Sequence, residues 1–299
     1  MIAQKTIIPD GLQPGDTIGI VAPGGAVDLS VIQEGQKALE RMGFTVMVPD
    51  DLLAPQAYLA APDRKRAEVF NRMFEDKTIS GIICARGGFG AMRMLPYVDF
   101  ALIQRHPKIV VGFSDVSALL VNIYQRSHVV TYHGPVMITL PHASDMTLKM
   151  LEAALLSGPS YRIDLEDLYV LLPGRVKGQL IGGNLSTLCH LAGTPYMPSF
   201  VDHVVFLEDV NEPLYKIDRM LTQIQLTGAF DHIKGVILGR FEKCGDVDSL
   251  YALVQDKLIS YGIPIVAGVA AGHVSDNLTL PIGFTADIDT NAGTVSISY

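Results

Sequence analysis

Residues 108–120 read Lys-Ile-Val-Val-Gly-Phe-Ser-Asp-Val-Ser-Ala-Leu-Leu. A short apolar run rich in β-branched residues ends at Gly112, a single serine follows, and the sequence then becomes helix-like. A serine on such a strand-to-helix turn has its hydroxyl exposed at the carboxyl edge of a sheet, and the amide of the next residue, Asp115, points toward a carbonyl oxygen under attack. Ser114 is therefore a candidate nucleophile.

The same residues also fit a simpler role. Gly112-x-Ser114 lacks the second glycine of the G-x-S-x-G motif, because Val116 stands in its place. A Ser-Asp pair before an apolar run is also an ordinary helix N-cap. Nucleophile and helix cap stay open as alternatives at this point.

The first half of the chain alternates strand-like and helix-like segments. Strands are predicted at 17–22, 44–48, 79–85 and 109–111, with helices at 28–42 and 63–75. Such β-α-β-α alternation indicates a mostly parallel sheet.

A glycine-rich loop follows the third predicted strand. In open α/β sheets, sites form outside the carboxyl ends of the strands, and both Arg86-Gly87-Gly88 and Ser114 lie at such ends. The amides of Gly87 and Gly88 could cradle a phosphate or supply the second donor of an oxyanion hole beside that of Asp115. The alternative is a bare tight turn.

Beyond about residue 145 the regular alternation of strand-like and helix-like segments ends. A helix is predicted at 146–157, and residues 158–175 form a looser, Pro/Gly-punctuated passage that could link two domains. In the second half, strands are predicted at 204–207 and 235–238, and helices at 215–226 and 247–261. We place the domain boundary near residue 170, giving domains 1–170 and 171–299.

Composition narrows the function classes. The chain has 299 residues, 48% of them hydrophobic, which is enough for two medium cores. The formal net charge of -8, without a Lys/Arg cluster, argues against a nucleic-acid or anionic-membrane partner and favours a small polar ligand.

Three singly placed cysteines fit a reducing compartment and neither a disulfide framework nor a zinc site. The amino terminus has no signal-peptide layout, and the apolar runs fall short of the roughly 20 residues that a membrane helix needs. We expect a cytoplasmic protein.

Candidate acid–base groups occur in the second half. Glu208 and Asp209 follow the strand predicted at 204–207, so one carboxylate could point into a cleft while the other faces away. His273 follows an apolar run that ends at residue 271, and it is a candidate base if a carboxylate orients it. The alternatives are a hydrogen-bonded structural histidine and a solvated loop acid. No histidine spacing predicts a metal site.

Several blocks of the sequence, in a fixed order, carry a resemblance. They are Gly15-Asp16-Thr17-Ile18-Gly19-Ile20-Val21-Ala22-Pro23, Ala85-Arg86-Gly87-Gly88-Phe89-Gly90-Ala91-Met92-Arg93-Met94-Leu95, Gly112-Phe113-Ser114-Asp115, Gly182-Gly183-Asn184-Leu185, Gly193-Thr194-Pro195-Tyr196, Leu207-Glu208-Asp209-Val210, Tyr215-Lys216-Ile217-Asp218-Arg219, and Gly272-His273 before Leu280-Pro281-Ile282-Gly283. Almost end to end, the chain resembles the LD-carboxypeptidase family of serine peptidases, which includes muramoyltetrapeptide carboxypeptidases and microcin-immunity peptidases.

The resemblance implies a nucleophile at Ser114, a carboxylate at Glu208 and a base at His273. It implies a Rossmann-like (flavodoxin-like) N-terminal domain and a β-rich α/β C-terminal domain with the active site at their interface, in a cytoplasmic homodimer without metal or other cofactor. Family members cleave the bond between a diamino acid and a terminal D-alanine in murein-derived tetrapeptides, during cell-wall recycling.

The chain departs from the family pattern around the site. Pro23-Gly24-Gly25 stands where Pro-x-Ser is frequent, Phe89 and Phe113 stand where tyrosine is frequent, and Val274 follows His273 where glycine is common. None of these changes removes a member of the expected triad, so we expect them to alter the shape of the pocket.

The substrate carboxylate needs a cationic or amide-rich counterpart. Arg86 is a candidate because of its location, and Arg219 is another. Either could instead be a structural residue: Arg86 as a hydrogen-bond donor, and Arg219 on a helix ordered by core packing.

Three functions follow in order of preference. The first is a serine LD-carboxypeptidase acting on a murein tetrapeptide. The second is an immunity-type peptidase that opens an amide in a peptidyl-nucleotide toxin. The third is a non-catalytic protein that binds a nucleotide or sugar, which is disfavoured because the Gly-x-Gly-x-x-Gly layout is absent after the first strand.

Overall fold

The computed structural model describes residues 5–156, 160–164 and 168–299. The strands in these ranges are β1 Thr17–Val21, β2 Thr45–Met47, β3 Ile79–Cys84, β4 Ile109–Gly112, β5 Thr131–His133, β6 Tyr161–Asp164, β7 Tyr169–Leu172, β8 Arg175–Asn184, β9 His203–Val210, β10 Gly235–Glu242, β11 Ile265–Ala267, β12 Leu280–Ile282, β13 Thr285–Asp289 and β14 Thr294–Ser298. The α-helices are α1 Leu29–Arg41, α2 Asp63–Glu75, α3 Ala91–Met94, α4 Phe100–Arg105, α5 Ser117–Ser127, α6 Asp145–Leu156, α7 Leu185–His190, α8 Leu214–Leu226 and α9 Val247–Leu258.

The first sheet has the strand order β12-β5-β4-β3-β1-β2. From β2 to β5 all neighbours are parallel, and the order 2-1-3-4-5 is that of flavodoxin-like sheets. Its central strands carry continuous apolar runs because helices cover both faces, and all of β4 is buried. The prediction of a Rossmann-like, flavodoxin-like first unit is confirmed.

The second sheet is mixed and larger. Its order is β6-β14-β13-β8-β9-β10-β11-β7, with parallel neighbours from β8 to β11 and antiparallel strands outside them. The expectation of a β-rich second unit is confirmed.

The passage predicted as a loose linker at 158–175 is instead largely sheet. Within it, β6 pairs with β14, β7 pairs with β11, and β8 begins at Arg175. Both β6 and β7 are short edge strands that are buried on one side at most, so their apolar pattern is weak. Residues 158, 159 and 165–167 of that passage lie outside the described residues, and the boundary near residue 170 stays a prediction.

The predicted helices occur with small shifts at their ends. Residues 63–75 match α2, the predicted helix 28–42 is α1, and the one predicted at 215–226 is α8. The helix predicted at 247–261 is α9 followed by a 3-10 turn over Ile259–Tyr261. Of the helix predicted at 146–157, Ser157 lies outside the described residues.

One strand of the second half belongs to the first sheet. β12 pairs antiparallel with β5 at its edge, through Leu280↔His133, Pro281↔Tyr132 and Ile282↔Thr131. The hydroxyl of Ser117, at the start of α5, also accepts a hydrogen bond of 3.0 Å from the amide of Asn184 at the end of β8. The buried apolar residues of both sheets form one continuous cluster. Consequently, the carboxyl ends of β4 and β9 face the segment that leads into β12.

Candidate active site

Ser114 lies on a tight turn with a left-handed backbone. Its φ is 62°, in a 3-10 turn over Ser114–Val116 that joins β4 to α5. A non-glycine residue is rarely held there unless the surrounding structure requires it, and displaying a nucleophile is one such requirement. A Cβ at Gly112 would lie 2.7 Å from Cγ1 of Val116. Val116, which stands in place of the second glycine of the motif, therefore packs where Gly112 leaves room. Neither the turn nor α5 begins with a side-chain cap, so the alternative of Ser114 as a helix cap is wrong.

The glycine-rich loop packs directly on this turn. A Cβ at Gly87 would lie 3.1 Å from Oγ of Ser114 and 3.4 Å from the amide nitrogen of Asp115, and Gly88 has a φ of 94°. The carbonyl of Gly87 accepts a hydrogen bond of 3.0 Å from the amide of Gly25. A Cβ at Gly24 would lie only 2.5 Å from that carbonyl oxygen. The Gly24-Gly25 pair is thus explained by a close backbone approach that holds the loop against Ser114.

The carboxylate of Asp115 ties the loop to the turn. The side chain is buried, and its Oδ2 accepts a hydrogen bond of 2.8 Å from the amide of Ala91. Burial raises the pKa of Asp115 to about 6, against the lowering effect of hydrogen bonds from the Ala91 and Gly90 amides. The side chain therefore braces the nucleophile turn, while its amide stays the predicted oxyanion donor.

Arg66 is a structural arginine that the sequence analysis missed. Its buried guanidinium donates to the carbonyls of Ala61 at 2.9 Å and Gly90 at 2.8 Å, and also to that of Pro23. It joins the loops after β1 and β3, which cradle Ser114. Its position in an amphipathic helix gave no signal, since arginines on α2 are expected to face solvent.

Glu208 and His273 form a hydrogen-bonded pair. Glu208 is fully buried near the end of β9, and its Oε2 lies 2.7 Å from Nδ1 of His273. A Cβ at Gly272 would lie 2.6 Å from the same Oε2, and one at Gly239 would lie 3.1 Å from the Cβ of Glu208. Both positions need glycine for the carboxylate to fit.

A second histidine faces the carboxylate and was also missed by the sequence analysis. Nε2 of the fully buried His133, at the end of β5, lies 3.8 Å from Oε1 of Glu208. Burial alone would raise the pKa of Glu208, but His133 and His273 facing its two oxygens lower it to about 2. Glu208 is therefore ionised and suited to orient an imidazole. Only the position of His133 at the end of a strand next to β4 could have signalled it.

Asp209 faces the other way, as strand alternation predicts. Its Oδ1 accepts from the side-chain amide of Asn184 at 2.9 Å, and its Oδ2 accepts from the amide of Ser186 at 2.9 Å, at the start of α7. Burial raises the pKa of Asp209 to about 6. The hydrogen bonds of Asp209 therefore stabilise the start of α7, whereas Glu208 bonds to the imidazole of His273.

Phe113, the residue before the serine turn, and His273 line one cavity of about 330 Å³, and Ser114 itself is not among its lining residues. The ring of Phe113, next to Ser114 in the chain, lies 4.7 Å from that of His273, centroid to centroid, and both rings line the cavity. The remaining lining is mixed apolar and uncharged polar, apart from one further histidine. It comprises Pro135, Ile138, Thr139, His142, Ala143, Thr147, Gly272, Val274, Ser275 and Asn277.

The two candidate arginines lie in different places. Nη1 of Arg86 donates to the carbonyl of Ala26 at 2.8 Å, and its buried Nε has no hydrogen-bond partner among the described residues. Arg86 lines a neighbouring cavity of about 490 Å³ that shares Ile138 with the first. Arg219 lines a separate cavity along α8, where its guanidinium lies 5.9 Å from the ring of Tyr215. The structure does not bring Arg219 to the cavity beside His273.

Within the described ranges, no helix is long and apolar enough to cross a membrane. The same residues contain no group of three or more His, Cys, Asp or Glu side chains suited to hold a metal ion.

The fold and these contacts are typical of a serine hydrolase: on two α/β units, a serine turn with a left-handed backbone follows Phe113, and Phe113 lines one cavity with the imidazole of a carboxylate–imidazole pair. Comparison with known proteins narrows this class. Residues 18–134 match the family model of the LD-carboxypeptidase N-terminal domain, and residues 177–288 match that of the LD-carboxypeptidase C-terminal domain. The chain belongs to the LD-carboxypeptidase family and is a serine peptidase.

Individual relatives align over nearly the whole chain. A probable murein peptide carboxypeptidase of Bacillus subtilis is 34% identical, over 97% of this chain and 93% of the relative. The microcin C7 self-immunity protein MccF of Escherichia coli is 28% identical, over 100% of this chain and 97% of the relative. The crystal structure of a muramoyltetrapeptide carboxypeptidase from Oxalobacter formigenes is 31% identical over 94% of this chain and 97% of that chain, with a TM-score of 0.82.

Proposed function

We propose that this peptidase removes the terminal D-alanine from murein-derived tetrapeptides, with Ser114, His273 and Glu208 as its catalytic triad. The observation that carries the proposal is the hydrogen-bonded Glu208–His273 pair at the cavity lined by the residue next to Ser114. The names of the Bacillus subtilis and Oxalobacter formigenes relatives support the substrate class.

Each residue of the proposed triad has its own role in the reaction. The hydroxyl of Ser114 attacks the carbonyl carbon of the amide that joins the diamino acid to D-alanine, and His273 takes the hydroxyl proton. His273 then returns the proton to the departing amine, which leaves an acyl-enzyme that water hydrolyses by the same two steps. Glu208 keeps Nδ1 of His273 protonated and stabilises the imidazolium.

Two backbone segments would stabilise the oxyanion. The amide of Asp115 follows the nucleophile, and the loop of Gly87 and Gly88 packs against the serine side chain. Donors fixed beforehand by the fold stabilise charge that develops in the transition state without reorganising. The tight packing of Gly87 on Ser114 is the observation that supports this role.

Arg86 is the proposed partner of the substrate carboxylate. Its buried Nε has no other partner in the described part of the chain, and its cavity adjoins the catalytic one at Ile138. A guanidinium binds a carboxylate through paired, charge-assisted hydrogen bonds. Arg219, exposed on α8, is a weaker candidate for this role.

A second candidate function is cleavage of a peptidyl-nucleotide amide. The observation in its favour is the match of the Escherichia coli self-immunity protein over all of this chain. Phe113, Ile138 and Val274 also give the catalytic cavity an apolar wall, which is the kind of surface that receives a flat base.

Mass spectrometry separates these functions. The wild-type protein and the Ser114→Ala variant are each incubated with a murein tetrapeptide ending in D-alanine. Tripeptide and free D-alanine from the wild type alone support both the substrate and the nucleophile. An intact tetrapeptide in both samples contradicts the first function, and the same pair is then tested on an aminoacyl sulfamoyl nucleoside.

We also propose a cytoplasmic homodimer. The three buried, unpaired cysteines fit a reducing compartment, and the dimer is what the family resemblance implies. Light scattering on the purified protein would give twice the mass of 32.4 kDa for a dimer, and a mass of one chain would contradict that part of the proposal.

A further inference from the structure

His133 and Glu208 leave several buried polar atoms unpaired. Nδ1 and Nε2 of His133 and Oε1 of Glu208 are buried, and none has a hydrogen-bond partner among the described residues. Nε2 and Oε1 face one another at 3.8 Å, which is too long for a hydrogen bond. Buried polar groups nearly always have partners, and Nε2 and Oε1 are the two of these atoms that face each other.

The surroundings of His133 aim it at Glu208. Its ring meets the rings of Phe206 and Phe113 at steep angles, with centroids 5.0 Å and 6.0 Å away. A Cβ at Gly183, on β8, would lie 3.5 Å from Cδ2 of the imidazole. A shift of about 1 Å along the line from Nε2 to Oε1 would bring these two atoms within hydrogen-bond distance.

We propose that His133 is a positioning residue, whose Nε2 stabilises the ionised Glu208 across the 3.8 Å gap at rest and donates a hydrogen bond to Oε1 when the site is engaged in catalysis. This inference rests on the proposed triad and extends it from three residues to four. The carboxylate is then held between two imidazoles, with Oε2 reserved for His273 and Oε1 for His133.

The arrangement fixes where the proton stays during the reaction. When His273 takes the proton of Ser114, it lies against a carboxylate that is fully buried. With one imidazole alone, burial would favour transfer of that proton to Glu208. A second donor stabilises the ionised form, so the proton remains on His273 and is available to the leaving amine.

The other groups around Glu208 do not take this role. On β9, Asp209 points away and is hydrogen-bonded to Asn184 and Ser186. β8 contributes Asn184 beside Glu208, and its side chain serves Asp209. β10 contributes Gly239, and beyond its end the thiol of Cys244 is bonded to the carbonyl of Glu242. His133 and His273 are therefore the groups that set the protonation of Glu208.

Two variants of His133 test the proposal. His133→Leu removes the donor with similar bulk, whereas His133→Gln keeps an N–H donor at about the reach of Nε2. We expect His133→Leu to lower kcat about 10- to 100-fold with KM changed less than about 2-fold, because the group acts through Glu208 and not on the substrate. His133→Gln should recover most of the loss.

A second readout separates positioning from packing and does not depend on the substrate. Protonation of Glu208 in the resting protein is followed by the infrared carboxyl band, with Glu208→Gln as the subtraction reference. We expect His133→Leu to move the midpoint of this titration to higher pH, and His133→Gln to move it less. His203→Leu is the control for loss of packing, because His203 is a half-buried histidine whose Nε2 lies 3.1 Å from the hydroxyl of Tyr124.

The outcomes are distinct. A normal kcat and an unmoved Glu208 midpoint in His133→Leu would overturn the inference, as would equal losses in the Leu and Gln variants with unmoved midpoints. If the wild type does not cleave the tetrapeptide, the proposed function fails, while the infrared titration still decides the role of His133. If His133→Leu does not fold, His133→Phe, which also removes the donor, takes its place beside His133→Gln in both measurements.

Discussion

The two halves of the proposed catalytic site are built in different ways. On the nucleophile side, Ser114 owes its position to consecutive residues and to the backbone of one glycine loop. On the acid–base side, Glu208 and His273 come from segments 65 residues apart and meet around a fully buried carboxylate. The first half depends on backbone conformation, and the second on burial and electrostatics. Substitutions on the two sides should therefore fail in different ways.

The largest expected effect is at Ser114. Ser114→Ala and Ser114→Gly should each lower kcat by about 10⁴- to 10⁶-fold, because both remove the proposed nucleophile. The Gly variant should also be about 1 kcal/mol more stable than the Ala variant, since glycine relieves the positive φ. Peptidase assays and urea unfolding measure the two effects, with the exposed Ser260→Ala as control. Equal stability of the two variants would contradict the dependence on backbone conformation.

The next effect is at Glu208. Glu208→Gln keeps the shape but presents an amide to His273, so the favoured tautomer is lost and kcat should fall by about 10³- to 10⁴-fold. The Glu208→Ala variant should lose no more activity than Ser114→Ala. Steady-state kinetics beside circular dichroism would check this, and a Gln variant within about 10-fold of wild type would remove Glu208 from the triad.

A smaller effect is expected from crowding the carboxylate. Ala at Gly272 would place a Cβ 2.6 Å from Oε2 of Glu208, whereas Gly245, also with positive φ, has no atom within 4 Å of such a Cβ. Both substitutions carry backbone strain of about 1 kcal/mol, but Gly272→Ala should also lower kcat about 10- to 100-fold by displacing Glu208. Parallel melting curves and assays of the two variants make the comparison. Equal activities would show that the carboxylate tolerates displacement.

The smallest effect on activity, a few-fold at most, is expected for Asp115→Asn, which retains an acceptor for the amide of Ala91. The pKa of Asp115 is raised to about 6 in the folded protein, chiefly by burial. Its contribution to stability is complete below the unfolded pKa of about 4 and is lost as the pH rises through 6. The Asn variant has no carboxylate at this position and should not show this loss. Its free energy of unfolding should therefore exceed that of the wild type by on the order of 1 to 3 kcal/mol between pH 5 and pH 8. Urea unfolding at several pH values measures it, and parallel pH profiles for both proteins would be the contrary result.

The difference between the serine turn and the Glu208–His273 pair also explains what could be predicted from the sequence. The turn at Ser114 was predictable because β4, the glycine and α5 are contiguous, so local pattern and local structure coincide. Glu208 and His273 were recognised as polar residues after strands, and their order along the chain matched the family resemblance. Their hydrogen bond was not a local property.

The features that were missed depend on contacts between distant segments. His133 faces Glu208 only because β5 lies between β4 and β12. The guanidinium of Arg66 is buried only because the loops after β1 and β3 converge on it. The edge strands β6 and β7 have weak apolar patterns, and their partners β14 and β11 lie about 130 and about 95 residues further along the chain, respectively.

The position of β12 has a consequence for synthesis of the protein. The edge strand of the first sheet comes from residues 280–282, while the rest of that sheet is complete at residue 133. A growing chain therefore carries an open strand edge at β5 until residues 280–282 have left the ribosome, and such edges favour mispairing between chains. Addition of β12 then closes that edge and brings the segment bearing His273 against the serine turn. Until residues 280–282 have joined the sheet, the pairing of β12 with β5 does not hold the segment of His273 against the serine turn, so we expect a chain that stops before β12 to be inactive.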